Sequence, residues 1–379
     1  MATVISLFNH KGGVSKTTTT FHLGWMLANL GKKVLIVDAD PQCNLTGLTL
    51  GIDNYDDLFK FYDSVQNRNI YTSLAGVFSL GTGIGDYKEG VTTTQTKNVN
   101  LSILAGHIKF SQLDIILATA LTSSGSLPML KPLLSSINTL IRNTAKRGNF
   151  DIVLVDMSPS ISATNMCVFM ASDYFIIPTS PDFYCYQAID SLSEVLPEWS
   201  TRMTPFKDDM TLPRNNPKML GVISQNYRVY GTDDAEGSKM TGAFLDWSNK
   251  IRDITNTKLA PSLKKIDMIV DENLFNKVVE HDKPYNLANI QDFNTLIPTS
   301  QKLSKPLFEL TQKDGGWSGA VWTRKQNNKD VGVQHKIEES QIVYQKLAES
   351  VCSLIGLPIE ADKNTFDALI QRASKPVQQ

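Results

Sequence analysis

Between Asn9 and Thr20 the chain reads NHKGGVSKTTTT, which sets glycines, lysines and hydroxyls at the spacing that grips phosphate. Backbone N–H groups of Gly12, Gly13, Val14, Ser15, Lys16, Thr17 and Thr18, at the start of a helix, would surround a phosphate and add the helix's positive end. Lys16 would place a point charge on the β- and γ-phosphates, and Thr17 a hydroxyl on Mg²⁺. The strict pattern G-x-x-x-x-G-K-[ST] fails twice, at His10 and Ser15. Amides need a backbone path rather than glycine itself. Ser15 can follow that path in an allowed conformation or with strain of order 1 kcal/mol.

The elements that must carry these residues are legible on either side. TVISLFN, residues 3–9, is a β-branched and apolar run that reads as a buried strand. From Lys16 onward, Leu23, Met26, Leu27 and Leu30 recur at helical spacing, and Gly31 is the stop. A second apolar strand, 34–37, ends in Asp38 and Asp40. The order strand, glycine turn, helix, strand is a βαβ unit with its polar residues at the carboxyl ends, where open α/β sheets bind ligands. NFDIVLVDMSPSIS repeats the arrangement: strand 152–155 delivers Asp156, placed as a carboxylate that supports Mg²⁺. Further strands begin at Tyr174 and over 218–227. The fold class expected is α/β, a mostly parallel sheet flanked by helices on both faces.

KGGVSKTT resembles the deviant phosphate loop of ParA/MinD-type P-loop ATPases, with Ser15 departing from the family's glycine, and the ParA/Soj partitioning branch is the nearest likeness. The resemblance implies ATP and Mg²⁺ as cofactors and an ATP-dependent homodimer in which Lys11 reaches across to the partner's phosphates. DADPQCNLT is similar to the segment in which Asp40 orients the attacking water and Asp38 supports Mg²⁺ or its waters. The family's D-x-P-P appears as DMSP, with Ser158 replacing one proline, which leaves the Mg²⁺ role of Asp156 in place. Two later segments resemble strand ends near the base, which makes Asn226 and Pro298 the candidate base contacts.

Composition bounds the partners. A formal net charge of −1 gives no global footprint for nucleic acid or an anionic membrane, so polyanion binding would have to be local. Four scattered cysteines without a C-x-x-C pair argue against a disulfide framework or zinc site and fit a reducing cytoplasm. Neither a signal peptide nor a membrane span is read. The organisation expected is one ATPase domain over 1–379, with a Gly- and Thr-rich, weakly periodic insertion at 51–98 that carries a loop. A second insertion is expected at 228–290, with a helix around 244–254, and a C-terminal helical region at 335–379. Helices are expected at 129–147 and 337–355.

The family resemblance further implies non-specific DNA as a partner and an adaptor or cargo protein that stimulates hydrolysis, for a cytoplasmic protein that meets the nucleoid. Arg324, Lys325, Lys329, Lys336 and Lys346 are the cations available for DNA, interleaved with Asp330, Glu338 and Glu339. The alternatives are a MinD-like membrane-positioning ATPase, for which the weak stripe Phe366, Leu369, Ile370 and Ala373 is the candidate helix, and a regulatory or defence ATPase acting through protein partners. Membrane binding is not expected, because that stripe has few cations and little apolar area.

Overall fold

The apolar runs of the sequence become neighbours in one eight-stranded sheet. In chain order its strands are Thr3–Leu7 (β1), Val34–Ala39 (β2), Thr94–Gln95 (β3), Leu101–Leu104 (β4), Ile152–Met157 (β5), Tyr174–Thr179 (β6), Lys218–Tyr227 (β7) and Asn286–Gln291 (β8), and they lie in the order β8-β7-β6-β1-β5-β2-β4-β3. All neighbours are parallel except the edge pair β3 and β4. VLIVDA and IVLVDM are buried at every position, the mark of strands covered on both faces. The structure, a computed structural model, describes residues 1–359 apart from 65–68, 79–85, 126–129, 208–211, 228, 231–238, 241, 280–283, 294, 327–328 and 358.

Register fixes the chemistry. β5 pairs with both β1 and β2, so Asp156 stands beside Leu7 on one side and Asp38 on the other. The order departs from β1 in both directions, and that point of departure opens a crevice at the carboxyl ends.

Helices cover both faces. On one, Lys16–Asn29 packs against Val333–Leu354; on the other, Leu113–Ser123, Lys131–Gly148 and Ala163–Met170 pack together. Gly24 lets the first helix lie close on the sheet, since a Cβ there would come within 2.8 Å of Ile36. Phe8, just before the phosphate loop, is wedged between Phe169 and Trp199 at centroid distances of 5.6 and 5.3 Å. Among the described residues no helix is long and apolar enough to cross a membrane. The stripe from Phe366 to Ala373 lies outside the described residues.

The structure differs from the sequence reading in the segments between these elements. Within 51–98, where periodicity is faint, stand two helices, Tyr55–Asp63 and Ile70–Phe78. The first buries only Leu58, so no apolar stripe marks it; the legible signal was its cap, the Asn54 side chain accepting from Asp57 N. Asn69 caps the second in the same manner. The segment 228–290 is not wholly peripheral, because it runs into β8, the edge strand of the main sheet. NLANIQ hides that strand with two asparagines and pairs with β7 through irregular register. The expected helix near 244–254 spans Gly242–Ile254 and is followed by Thr255–Leu259 and Ala260–Lys264.

His22 lies wholly buried between the first helix and the C-terminal layer, and burial pushes its pKa down from 6.5 to about 4. Below pH 6.5 the unfolded chain takes up a proton that the folded chain refuses until about pH 4. Stability is therefore expected to fall, by on the order of 3 kcal/mol, as pH drops through that window. Denaturant midpoints measured from pH 7 to 4.5 should fall more steeply for the wild type than for His22→Gln, and equal slopes would refute the assignment.

Candidate functional site

The turn after β1 carries the chain back over the sheet's carboxyl edge. Gly13 (φ +74°) and Ser15 (φ +59°) both adopt the left-handed conformation. For a serine this costs about 1 kcal/mol. Ser15→Gly is accordingly expected to stabilise the ligand-free protein by about 1 kcal/mol, read as a raised urea midpoint at unchanged slope. A lowered midpoint would mean that contacts of the serine hydroxyl outweigh the strain.

Lys16 is 7% exposed, and its Nζ donates to the carbonyls of Asn9 (3.0 Å) and Lys11 (3.1 Å). The loop thus wraps its own amine. Burial pushes the Lys16 pKa down, while Asp156 and Asp40 pull it back up. A bound polyphosphate would favour the charged form further.

Thr17 Oγ1 donates to Asp156 Oδ2 at 2.7 Å, while Asp156 Oδ1, buried, has no hydrogen-bond partner. Burial, then the charge of Asp38, drives the Asp156 pKa well above the usual carboxylate range. Burial likewise pushes Asp38 up to about 7. The donor set suits a hard divalent cation: a threonine hydroxyl, an oxygen left over on Asp156, and carboxylates that a positive charge would relieve. Among the described residues no three His, Cys, Asp or Glu converge as a cage, so phosphate oxygens and water would complete the coordination.

Asp38 differs from Asp156. Thr46 donates to its Oδ2 through N (2.8 Å) and Oγ1 (2.6 Å), and Asp40 N donates to its Oδ1 at 3.2 Å. Protein donors thus already engage both Asp38 oxygens, so Asp156 rather than Asp38 offers an unpartnered oxygen for the expected metal role. Gly106 permits the arrangement, since a Cβ there would lie 2.8 Å from the Asp38 carboxyl carbon. The sequence reading gave no role to Thr46, although it ends the DADPQCNLT segment, nor to Gly106, a lone glycine that carries no pattern.

Asp40 is 7% exposed and lines a cleft of about 920 Å³. Its Oδ1 accepts from Gln42 N at 2.9 Å. Gly12, Gly13, Val14, Ser15, Lys16, Thr17 and Thr18 line it, together with helix Asn44–Leu50, the start of Tyr55–Asp63, and Gln301 and Lys302. Pro298 is in the first turn of helix Ile297–Leu303, exposed and off the wall, so the residues that line the cleft there are one turn further on. The sequence motif drew attention to the proline; the helix it starts does the lining. Asn226 lies on β7, with its side chain outside the described residues. Its neighbour Gln225 donates to Thr19 Oγ1 at 2.6 Å and ties β7 to the phosphate-loop helix.

Lys11 stands apart from the rest of the loop. Its Nζ lies 2.6 Å from Asp182 Oδ2 of the same chain, and Asp182 Oδ1 caps the helix Phe183–Lys207 by accepting from Cys185 N at 2.9 Å. The sequence reading missed Asp182, though an aspartate just before a helix is a capping signal.

Residues 2–207 match the family model AAA_31, an AAA domain. The sporulation initiation inhibitor protein Soj of Bacillus subtilis (strain 168) is 30% identical over 196 residues, 52% of this chain and 64% of that protein. The chain thus spans somewhat under two thirds of that relative's length. Among solved structures, the ATP complex of a Cyanothece McdA variant superposes with a TM-score of 0.56 at 15% identity, covering 95% of this chain and 99% of that one. The septum site-determining protein MinD of Pyrococcus horikoshii OT3, solved with Mg-ADP, gives 0.51 at 19% identity, covering 95% and 100%. At such identities these structures speak to the fold.

Proposed function

The chain belongs to the AAA_31 domain family, and we propose that it is a ParA/MinD-type P-loop ATPase whose cleft binds ATP with Mg²⁺, closes two copies face to face and reopens them on hydrolysis. The observation that carries this reading is the pairing of Thr17 with a buried Asp156 that keeps one oxygen free, beside an amine enclosed by its own loop. Lys16 and the loop amides hold the phosphate chain. Thr17 and Asp156 hold Mg²⁺, which when bound supplies charge neutralisation for phosphoryl transfer. Asp40 orients the attacking water. Lys11 leaves Asp182 and reaches the phosphates of the second copy. Catalysis of this kind is positioning and electrostatics.

The process served is cargo or DNA partition, with an adaptor stimulating turnover. A second reading, a regulatory or defence ATPase that acts on protein partners, draws on one candidate cation being paired with an acid, since Lys325 Nζ lies 3.7 Å from Asp330 Oδ1. The test is sedimentation of the full chain with a non-hydrolysable ATP analogue and Mg²⁺, with ADP and with neither, then with generic duplex DNA at low and moderate salt. A dimer that forms with the analogue alone is expected, and a monomer throughout overturns the switch. Salt-sensitive DNA capture by that dimer favours partition; indifference to DNA favours protein partners.

A further inference from the structure

The wall that carries Gln301 and Lys302 is a small folded unit of its own. After helix Ile297–Leu303 the chain turns back at Ser304 (φ +49°), Ser300 Oγ donates to Lys305 O at 2.6 Å, and the turn Leu307–Glu309 follows. Three side chains on one face of the phosphate-loop helix hold this unit. His22 Nε2 accepts from Leu307 N at 3.0 Å; Trp25 Nε1 and Asn29 Nδ2 donate to Glu309 Oε1 at 2.8 and 2.9 Å.

His22 does more than receive that contact. Because its Nε2 accepts, its Nδ1 carries the proton, and that nitrogen lies 2.7 Å from the carbonyl of Thr18. Thr18 itself lines the cleft. Tyr344, stacked at 4.9 Å, and Phe308, edge-on at 6.0 Å, fix the plane of the ring. A single neutral ring therefore bridges the loop that grips phosphate and the segment that forms the Gln301–Lys302 wall.

We infer that His22 is a positioning residue for the nucleotide, setting the spacing between the phosphate loop and the Gln301–Lys302 wall and so the fit of the nucleoside end. The inference rests on the reading that the cleft takes a nucleotide. It separates from a merely structural role through ligand discrimination: a lost structural contact would weaken whole nucleotide and bare phosphate chain alike, whereas a displaced wall penalises only the ligand that reaches it.

The experiment is calorimetric titration of the full chain with Mg²⁺-ATP and with Mg²⁺-tripolyphosphate, for wild type, His22→Leu, His22→Gln and Glu309→Ala. His22→Leu should weaken ATP by about tenfold, the worth of one hydrogen bond lost between the displaced wall and the nucleoside, and leave tripolyphosphate nearly unchanged. His22→Gln, which keeps an acceptor of similar reach, should recover part of that loss. Glu309→Ala removes the second anchor from a half-buried position and should show the same discrimination in smaller measure; it carries the test if His22→Leu does not fold. Equal losses for both ligands, or none in variants whose wild type binds ATP, overturn the inference alone. A wild type that binds neither ligand overturns the nucleotide reading and this inference with it.

Discussion

Lys16→Ala is expected to lower the affinity for Mg²⁺-ATP by about a hundredfold or more, since it removes a charge-assisted contact to phosphate worth about 3 kcal/mol. Lys16 is only 7% exposed, and its amine is enclosed by the Asn9 and Lys11 carbonyls of its own loop. Its loss also leaves Asp156 and Asp40 without the positive charge that both feel. Titration calorimetry on a variant whose circular dichroism matches the wild type provides the check; retained tight binding would remove Lys16 from the phosphate site.

Asp40→Ala should separate binding from turnover. Asp40 lines the cleft, and Asp38 accepts from the Asp40 backbone N–H, so the carboxylate is held on a fixed base. Removing it takes a negative charge away from bound phosphates, and affinity is expected to hold or rise. Turnover should fall by about a hundredfold to a thousandfold, the span of a lost water-orienting or proton-accepting group, and an ATP-dependent dimer should persist. Asp40→Asn keeps an acceptor for Gln42 N and should show the same loss, which would exclude a collapsed loop as its cause. Phosphate release at the wild-type rate in either variant sinks the role.

The sequence made the core of the site legible because its residues are local. Gly12 through Thr18 are contiguous; Asp38 and Asp156 each end an apolar run that reads as a buried strand, and Asp40 follows Asp38 by two residues. What it concealed depends on long-range contact. Asp182 reaches Lys11 across 171 positions and Leu307 reaches His22 across 285, distances over which no periodicity speaks. The helix Tyr55–Asp63 was hidden for a different reason: a helix that buries a single leucine has no stripe to read. β8 was hidden by asparagines in a strand that closes the sheet at its edge, where β-branched residues are less demanded.

If Lys11 acts across a dimer as proposed, its pairing with Asp182 sets how readily two copies associate. With side chains 22% and 37% exposed, the pair is worth about 0.2–1 kcal/mol after screening. Opening it in each of two copies raises their dissociation constant by at most about thirtyfold. Such a tether delays association without forbidding it, and added salt weakens it. On that proposal the pair would be a threshold tuned by ionic strength, low enough for a well-gripped triphosphate to cross and high enough to suppress chance encounters between empty chains.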